Sequence, residues 1–255
     1  MIEALYLGVS GMQSQQAQID SIAHNLTNMN TPAFKASRVQ FQEVMNQAAA
    51  DEAAQGKALM HPAGVRVMSR EFDFTPGSLK TTGSAMDIAI NGIGFLPVSM
   101  PDGSVGYTRG GTLVADSNGV LSTREGYPLQ AQIQLPSDAA GLQITPDGRV
   151  SASFADGRPA MELGRLELMR FARPDALGSQ GGGVYQATEA SGEAQAMTPG
   201  TDGTGTLAQG YLESANVNMA DEMVRLMMAQ RAYELGSKLV QASDELMGMT
   251  NNLRR

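Results

Sequence analysis

The chain of 255 residues has no cysteine and no tryptophan, only two histidines, and 5% aromatic residues. Without thiols it forms no disulfide, iron–sulfur cluster, thiolate zinc site or cysteine nucleophile, so folding rests on packing alone. The same absence is neutral between reducing and oxidising compartments. No apolar run reaches the roughly 18 residues that a membrane-spanning helix needs, and Met1–Gly8 contains Glu3 but no Lys or Arg. Neither membrane insertion nor a cleaved secretory signal is therefore expected. Positive charge is scarce as well: the net charge of −8 and a pI near 4.8 disfavour nucleic acid and anionic lipid as partners.

What the chain does hold is 42% apolar residues and 29 glycines, the balance of a folded protein with many turns. Ile2, Leu5, Val9, Met12, Gln16, Ile19, Ala23 and Leu26 recur in steps of three and four, which places them on one stripe of a helix. The pattern lasts to about Met29, where Thr31-Pro32 ends it. Such a helix is about 40 Å long. Met228, Ala232, Leu235, Leu239, Ala242, Leu246, Met249 and Leu253 repeat in the same way near the other end. Asn218 with Asp221 three residues on, and the acidic pair Asp221-Glu222, mark the start of this second helix. Gly8 and Gly11 would let the two helices approach closely. Periodicity alone leaves open whether these helices cap a globular core or meet other chains.

Between them, Phe34, Val39, Phe41, Val44 and Met45 precede the small and polar stretch Ala48–Gly56, part of which is expected to be mobile. From Val65 to about Leu212 the signals are those of a β domain. Asp87–Ile90, Phe95–Val98, Gly106–Thr108, Leu113–Ala115, Gln132–Leu135 and Leu166–Phe171 read as strands. Asp102-Gly103, Asn118-Gly119, Asp147-Gly148 and Asp156-Gly157 read as turns between them. Gly178–Gly183 and Pro199–Gly205 read as loops. The expected fold class is α+β: N- and C-terminal α-helices forming a coiled-coil-like pair, with an inserted, mainly antiparallel β domain.

Residues that could carry chemistry are few. His24 and His61 are isolated, and Gly92-Ile93-Gly94 lacks the third glycine of a dinucleotide loop. Asp221-Glu222 are adjacent on a helix and point about 100° apart, too divergent to straddle one glycosidic bond. Asn25-Leu26-Thr27 is a glycosylation sequon by letter only, since it falls within the first helix. No catalytic residue, metal site or cofactor is expected. The methionines crowding the last helix, Met219, Met223, Met227, Met228, Met247 and Met249, suit either core filling or packing against several non-identical neighbours.

The run Ala23-His24-Asn25-Leu26-Thr27-Asn28-Met29-Asn30-Thr31-Pro32-Ala33-Phe34-Lys35 resembles the N-terminal signature of bacterial flagellar rod and hook proteins. Glu213–Asn218 and Gln230-Arg231-Ala232-Tyr233-Glu234 resemble the C-terminal signature of the same family, and Gly83, Asp87–Ile90, Gly92, Gly94-Phe95 and Tyr107-Thr108-Arg109 its β-domain motif. Chain length and Pro76-Gly77-Ser78-Leu79 look most like the distal rod branch, with the proximal rod branch second. Four positions depart from the family pattern: Ala33 replaces a usual Gly, Leu96 a second aromatic, Ala215 a usual Ser, and Gly236 a usual Asn.

The resemblance implies a non-enzymatic structural subunit that polymerises with itself and adjoins other rod and hook proteins. It further implies contact with the P-ring and L-ring proteins and export by the flagellar type III apparatus without a cleaved signal. The implied location is the basal body, from periplasm to outer membrane, with end helices that order on assembly. The implied organisation is an inner-core helix at 1–32 joined by 216–255, a linking region at 33–74 and a β-rich domain at 75–215. The self-assembly interface is expected at Leu5, Val9, Met12, Ile19, Asn25, Leu26, Asn28 and Phe34, and at Asn216, Asn218, Met228, Arg231, Tyr233, Leu235, Leu239 and Leu246. Phe41 and Met45, four apart, resemble the family's Phe-x-x-x-hydrophobic export motif.

Overall fold

The computed structural model describes residues 2–47, 60–156, 158–201 and 203–252, with side chains described except at 2–5, 45–47, 60–63 and 250–252. The expected mobile stretch Ala48–Gly56 lies outside the described residues. Two compact units are present: Met1–Thr27, Ser37–Glu71 and Val217–Arg255 form the first, and Asn28–Ala36 with Phe72–Asn216 the second.

In the first unit, helix α1 (Ile2–Thr27) and helix α2 (Met219–Asn252) pack side by side, and strands β1 (Ser37–Gln47) and β2 (Met60–Phe72) pair as a two-stranded sheet. α1 stops where the sequence changes character, in a turn from Asn28 to Ala33 closed by hydrogen bonds from Thr31 N to Asn28 O and Phe34 N to Thr31 O. Pro32 cannot donate into a continuing helix.

The second unit is a β domain. Its early strands are β3 (Leu79–Thr81), β4 (Asp87–Asn91), β5 (Leu96–Ser99), β6 (Val105–Thr108), β7 (Gly110–Ala115) and β8 (Leu121–Thr123). Then come β9 (Ala139–Ile144), β10 (Arg149–Phe154), β11 (Met161–Arg165) and β12 (Leu168–Arg170). The last are β13 (Gly178–Gly181), β14 (Val184–Gln186), β15 (Gln195–Met197), β16 (Thr206–Gln209) and β17 (Tyr211–Glu213). Two four-stranded sheets run β13-β14-β6-β5 and β16-β4-β7-β8, a three-stranded one β11-β10-β9, and the small ribbons are β12-β15 and β17-β3. Every pairing of defined register in this unit is antiparallel.

The larger sheets share one core. Ile88 and Ile90 of β4, Val98 of β5, Ile144 of β9, Val150 of β10 and Leu207 of β16 are all buried in it. The scarce aromatics are concentrated in a second cluster, where Phe72, Phe74, Phe95, Tyr107, Phe171 and Tyr185 stack edge to face with centroids 4.8–5.7 Å apart in the T-shaped pairs.

Two expectations are corrected. Gln132–Leu135 is no strand: Gln132 takes a left-handed φ of 46°, and only Gln134 makes an isolated bridge, to Val120. Gly178–Gly183 is no simple loop, since Gly178–Gly181 is β13, bulged between Ser179 and Gly181 where it pairs with β14.

Candidate self-assembly surface and signature residues

Within the first unit, α2 begins at Asn218, whose Oδ1 accepts from Ala220 N at 3.0 Å while its carbonyl accepts from Glu222 N at 3.0 Å. Asn218 is thus the N-cap that the sequence implied, with Ala220 as the N–H it satisfies. The face of α2 turned inward carries Glu222, Ala229, Gly236 and Ser243, a spacing of seven, and Ala229 is only 2% exposed. Ala229, Gly236 and Ser243 are short, and the helices come close. A Cβ on Gly236 would lie 2.9 Å from Met12 Cγ, and one on Gly8 would lie 2.8 Å from Val240 Cγ2. Gly11 has nothing within 4 Å, so only one of the two α1 glycines serves the approach.

The apolar stripe read from the α2 sequence lies elsewhere on the helix. Met228, Leu235, Leu239, Leu246 and Met249 are 52–66% exposed. Tyr6, Leu7 and Val9 of α1 are exposed too. Between the helices runs a groove of about 350 Å³ lined by Leu7, Gly8, Gly11, Met12 and Gln15 on one side and Ala232, Leu235, Gly236 and Leu239 on the other. Stripe and groove share Leu235 and Leu239. Contiguous apolar surface of this kind is costly in water and marks a place for a partner.

The remaining sites fall as follows. Met12, Ile19 and Leu26 are half-buried on α1; Arg231 and Tyr233 are exposed on α2 and Phe41 on β1. The side chains of Leu5 and Met45 lie outside the described residues. Asn25 is buried and spends its amide inside the unit: Nδ2 donates to Ser37 O and Oδ1 accepts from Ser37 N, each at 2.9 Å, with Nδ2 also 3.5 Å from Glu222 Oε2. Ser21 Oγ adds a contact to Ser37 O at 3.1 Å. The signature asparagine fastens the start of β1 to α1.

In the second unit Asn216 does for Ala36 what Asn25 does for Ser37. Its Oδ1 accepts from Ala36 N at 2.7 Å and its Nδ2 donates to Asp73 O at 2.6 Å. Asn28 and Phe34 are half-buried in this unit. Ala33 is buried, with a left-handed φ of 58°, and donates its N–H to Glu213 O at 2.7 Å.

Three residues quoted above only as parts of motifs prove to act together. Glu213 Oε1 accepts from Lys35 Nζ at 2.6 Å, and Glu213 Oε2 from Arg109 Nε at 3.2 Å, with all three side chains at most 2% exposed. Gly77 N also donates to Glu213 Oε1, at 2.8 Å. Lys35 donates further to Thr75 O and Arg109 to Gly94 O, so the buried charges are hydrogen-bonded as well as paired. Burial lowers the Lys35 pKa from its ordinary value, and the Glu213 carboxylate opposes that shift. A Cβ on Gly77 would fall 2.0 Å from Ser214 O, so Pro76-Gly77-Ser78-Leu79 needs its glycine for the chain to pass against that carbonyl. The signal available in sequence was that one cation or anion sits in each of three separated motifs.

Known proteins resemble the chain along its whole length. Residues 5–35 match the family described as "Flagella basal body rod protein", residues 89–152 the "Flagellar hook protein FlgE/F/G D1 domain", and residues 208–253 the "Flagellar basal body rod FlgEFG protein C-terminal". The flagellar basal-body rod protein FlgG of Buchnera aphidicola from Acyrthosiphon pisum is 38% identical over 99% of this chain and 100% of its own length. FlgG of Borreliella burgdorferi is 37% identical over 100% of both chains, and the rod protein FlgF of Caulobacter vibrioides 32% identical over 96% of this chain and 95% of its own. The chain belongs to the flagellar basal-body rod and hook protein family, whose members are structural proteins and not enzymes.

Proposed function

We propose that the chain is a structural subunit of the flagellar distal rod that assembles with its own copies, and with adjoining rod and hook components, into a tubular shaft carrying torque from motor to hook. The observation that carries this reading is the exposed stripe Met228, Leu235, Leu239, Leu246 and Met249, beside an apolar groove of matching chemistry. The 52–66% exposure of these large side chains is unfavourable for an isolated chain and is relieved when copies bury the stripe against one another.

In this reading the helices at 1–32 and 216–255 build the inner core as coiled coils, the sevenfold spacing of Glu222, Ala229, Gly236 and Ser243 supporting the pairing. Residues 33–74 link, and 75–215 form the outer β domain. The stripe and Val9, Met12, Ile19, Leu26, Arg231 and Tyr233 supply contacts between copies, while Asn25, Asn216 and Asn218 shape the segments that present them. The rod spans the periplasm to the outer membrane inside the P- and L-rings. Subunits reach it through the flagellar type III apparatus without cleavage, Phe41 and Met45 serving the export gate.

Leu239→Asp tests the core of this proposal. An uncompensated charge buried in an interface costs about 3–5 kcal/mol, which raises the concentration needed for assembly by about two orders of magnitude or more. Electron microscopy and sedimentation of the full chain should show polymers for the parent and none for the variant, with the thermal unfolding of the β domain unchanged. Equal polymerisation of the two chains would sink the reading.

A further inference from the structure

We propose that Met223, Met227 and Met228 are oxidation sites through which peroxide blocks assembly of the free subunit, an inference that rests on the assembly role of α2. The chain holds 17 methionines and no cysteine, so no thiol competes for oxidant. Met223, Met227 and Met228 are 51%, 53% and 65% exposed on the first turns of α2. Met228 lies seven residues before Leu235 on the apolar stripe, and Met223 and Met227 form a row four apart on the neighbouring face. Met86, Met100 and Met169, by contrast, are packed against the clusters of the β domain.

The chemistry is a two-electron oxygen transfer. A lone pair on the thioether sulfur attacks one oxygen of hydrogen peroxide, the O–O bond breaks, and after proton transfer the products are methionine sulfoxide and water. Sulfur is oxidised and peroxide is reduced. The product carries a strongly polar S=O group where a flexible apolar side chain stood. Burying that group in an apolar contact without a hydrogen-bond donor lowers affinity by about tenfold per sulfoxide. Assembly removes the same sulfurs from solvent, so the finished polymer is protected and the free subunit is the vulnerable form.

The test treats the full chain with hydrogen peroxide, maps sulfoxides by mass spectrometry, and measures polymer by sedimentation. Met223, Met227 and Met228 should oxidise ahead of Met86, Met100 and Met169, with assembly falling by about tenfold or more and returning after methionine sulfoxide reductase treatment. Set in a Met249→Leu background, so that the 55% exposed stripe methionine cannot oxidise, the triple variant Met223→Leu, Met227→Leu, Met228→Leu should assemble untreated and stay competent after peroxide. Met161→Leu, at a methionine 51% exposed on β11, should give no protection. Undiminished assembly of the oxidised chain, or continued peroxide sensitivity of the triple variant, overturns the proposal. Failure of the untreated chain to polymerise is a separate result that removes the assembly reading and this inference with it.

Discussion

Ala33 is the residue at which backbone strain is most visible. Its φ of 58° puts an L-residue with a Cβ in the left-handed region, at a cost of about 1–2 kcal/mol. Pro32 restricts the backbone before it without removing that cost. Ala33→Gly frees the strain but gives up a buried methyl worth about 0.8 kcal/mol. The strain is the larger, so the substitution should stabilise the β unit by about 0.5–1 kcal/mol, read as a higher denaturation midpoint; a lower midpoint would refute the assignment. Tyr185 gives a second expectation. Burial raises its pKa well above the ordinary tyrosine value, Arg109 opposing the shift and Glu213 adding to it. The unfolded chain releases this proton near pH ~10, so above that pH the folded state binds more protons. The stabilisation is complete below pH ~10 and is lost as pH climbs towards the folded value. Lys35 acts in the opposite sense below its ordinary 10.5, but equally in both chains compared. Tyr185→Phe should therefore flatten the alkaline decline of stability in denaturant titrations from pH ~9 to ~11, and parallel declines would contradict it.

At the scale of elements, the helices were legible in the sequence and their mutual orientation was not. Steps of three and four identify an apolar stripe, yet a period cannot say whether the stripe faces the same chain or another. In α2 its large members are more than half exposed, and the inward face mixes residues too small to register as apolar pattern, Ala229, Gly236 and Ser243, with half-buried Leu226, Val240 and Met247. The strands follow the same logic. β4 was readable because Asp87–Ile90 are buried and mostly apolar, whereas β9 and β10 alternate only over short stretches, Leu142-Gln143-Ile144 and Val150-Ser151-Ala152-Ser153, with small residues at half the positions, and β11 is exposed or half-buried throughout. The seam makes a prediction that separates two glycines three residues apart. Gly8→Val forces bulk into Val240 and Leu239 and should destabilise the helix pair by about 1–3 kcal/mol. Gly11→Ala meets nothing and should stabilise α1 by about 0.5–1 kcal/mol. Far-UV circular dichroism melts of the two variants should shift in opposite directions; a shared direction would argue against close packing at Gly8.

For the whole molecule, the decisive feature is that the β unit is not one continuous stretch of chain. It takes in Asn28–Ala36 as well as Phe72–Asn216, and the bonds that hold the early segment include Lys35 to Glu213, Ala36 to Asn216 and Ala33 to Glu213. The family signatures were legible as strings, but this coupling was not, because sequence spacing does not reveal that residues 178 apart share one buried ion pair. The same coupling determines what a truncation keeps. A chain trimmed to residues 28–216 retains Lys35, Arg109, Glu213 and Asn216 and should unfold in one cooperative transition with the near-UV tyrosine signal of the full chain's β unit. Beginning instead at residue 38 removes Lys35 and Ala36 and leaves Glu213 buried with Arg109 alone. Loss of one partner from a buried charge network costs about 3–5 kcal/mol, comparable with the whole stability of many domains. The shorter chain should therefore melt about 6–20 °C lower, at roughly 2–4 °C per kcal/mol for a unit of this size, or fail to show a cooperative transition. Equal melting of the two trimmed chains would mean that Lys35 and its neighbours merely rest on a domain complete without them.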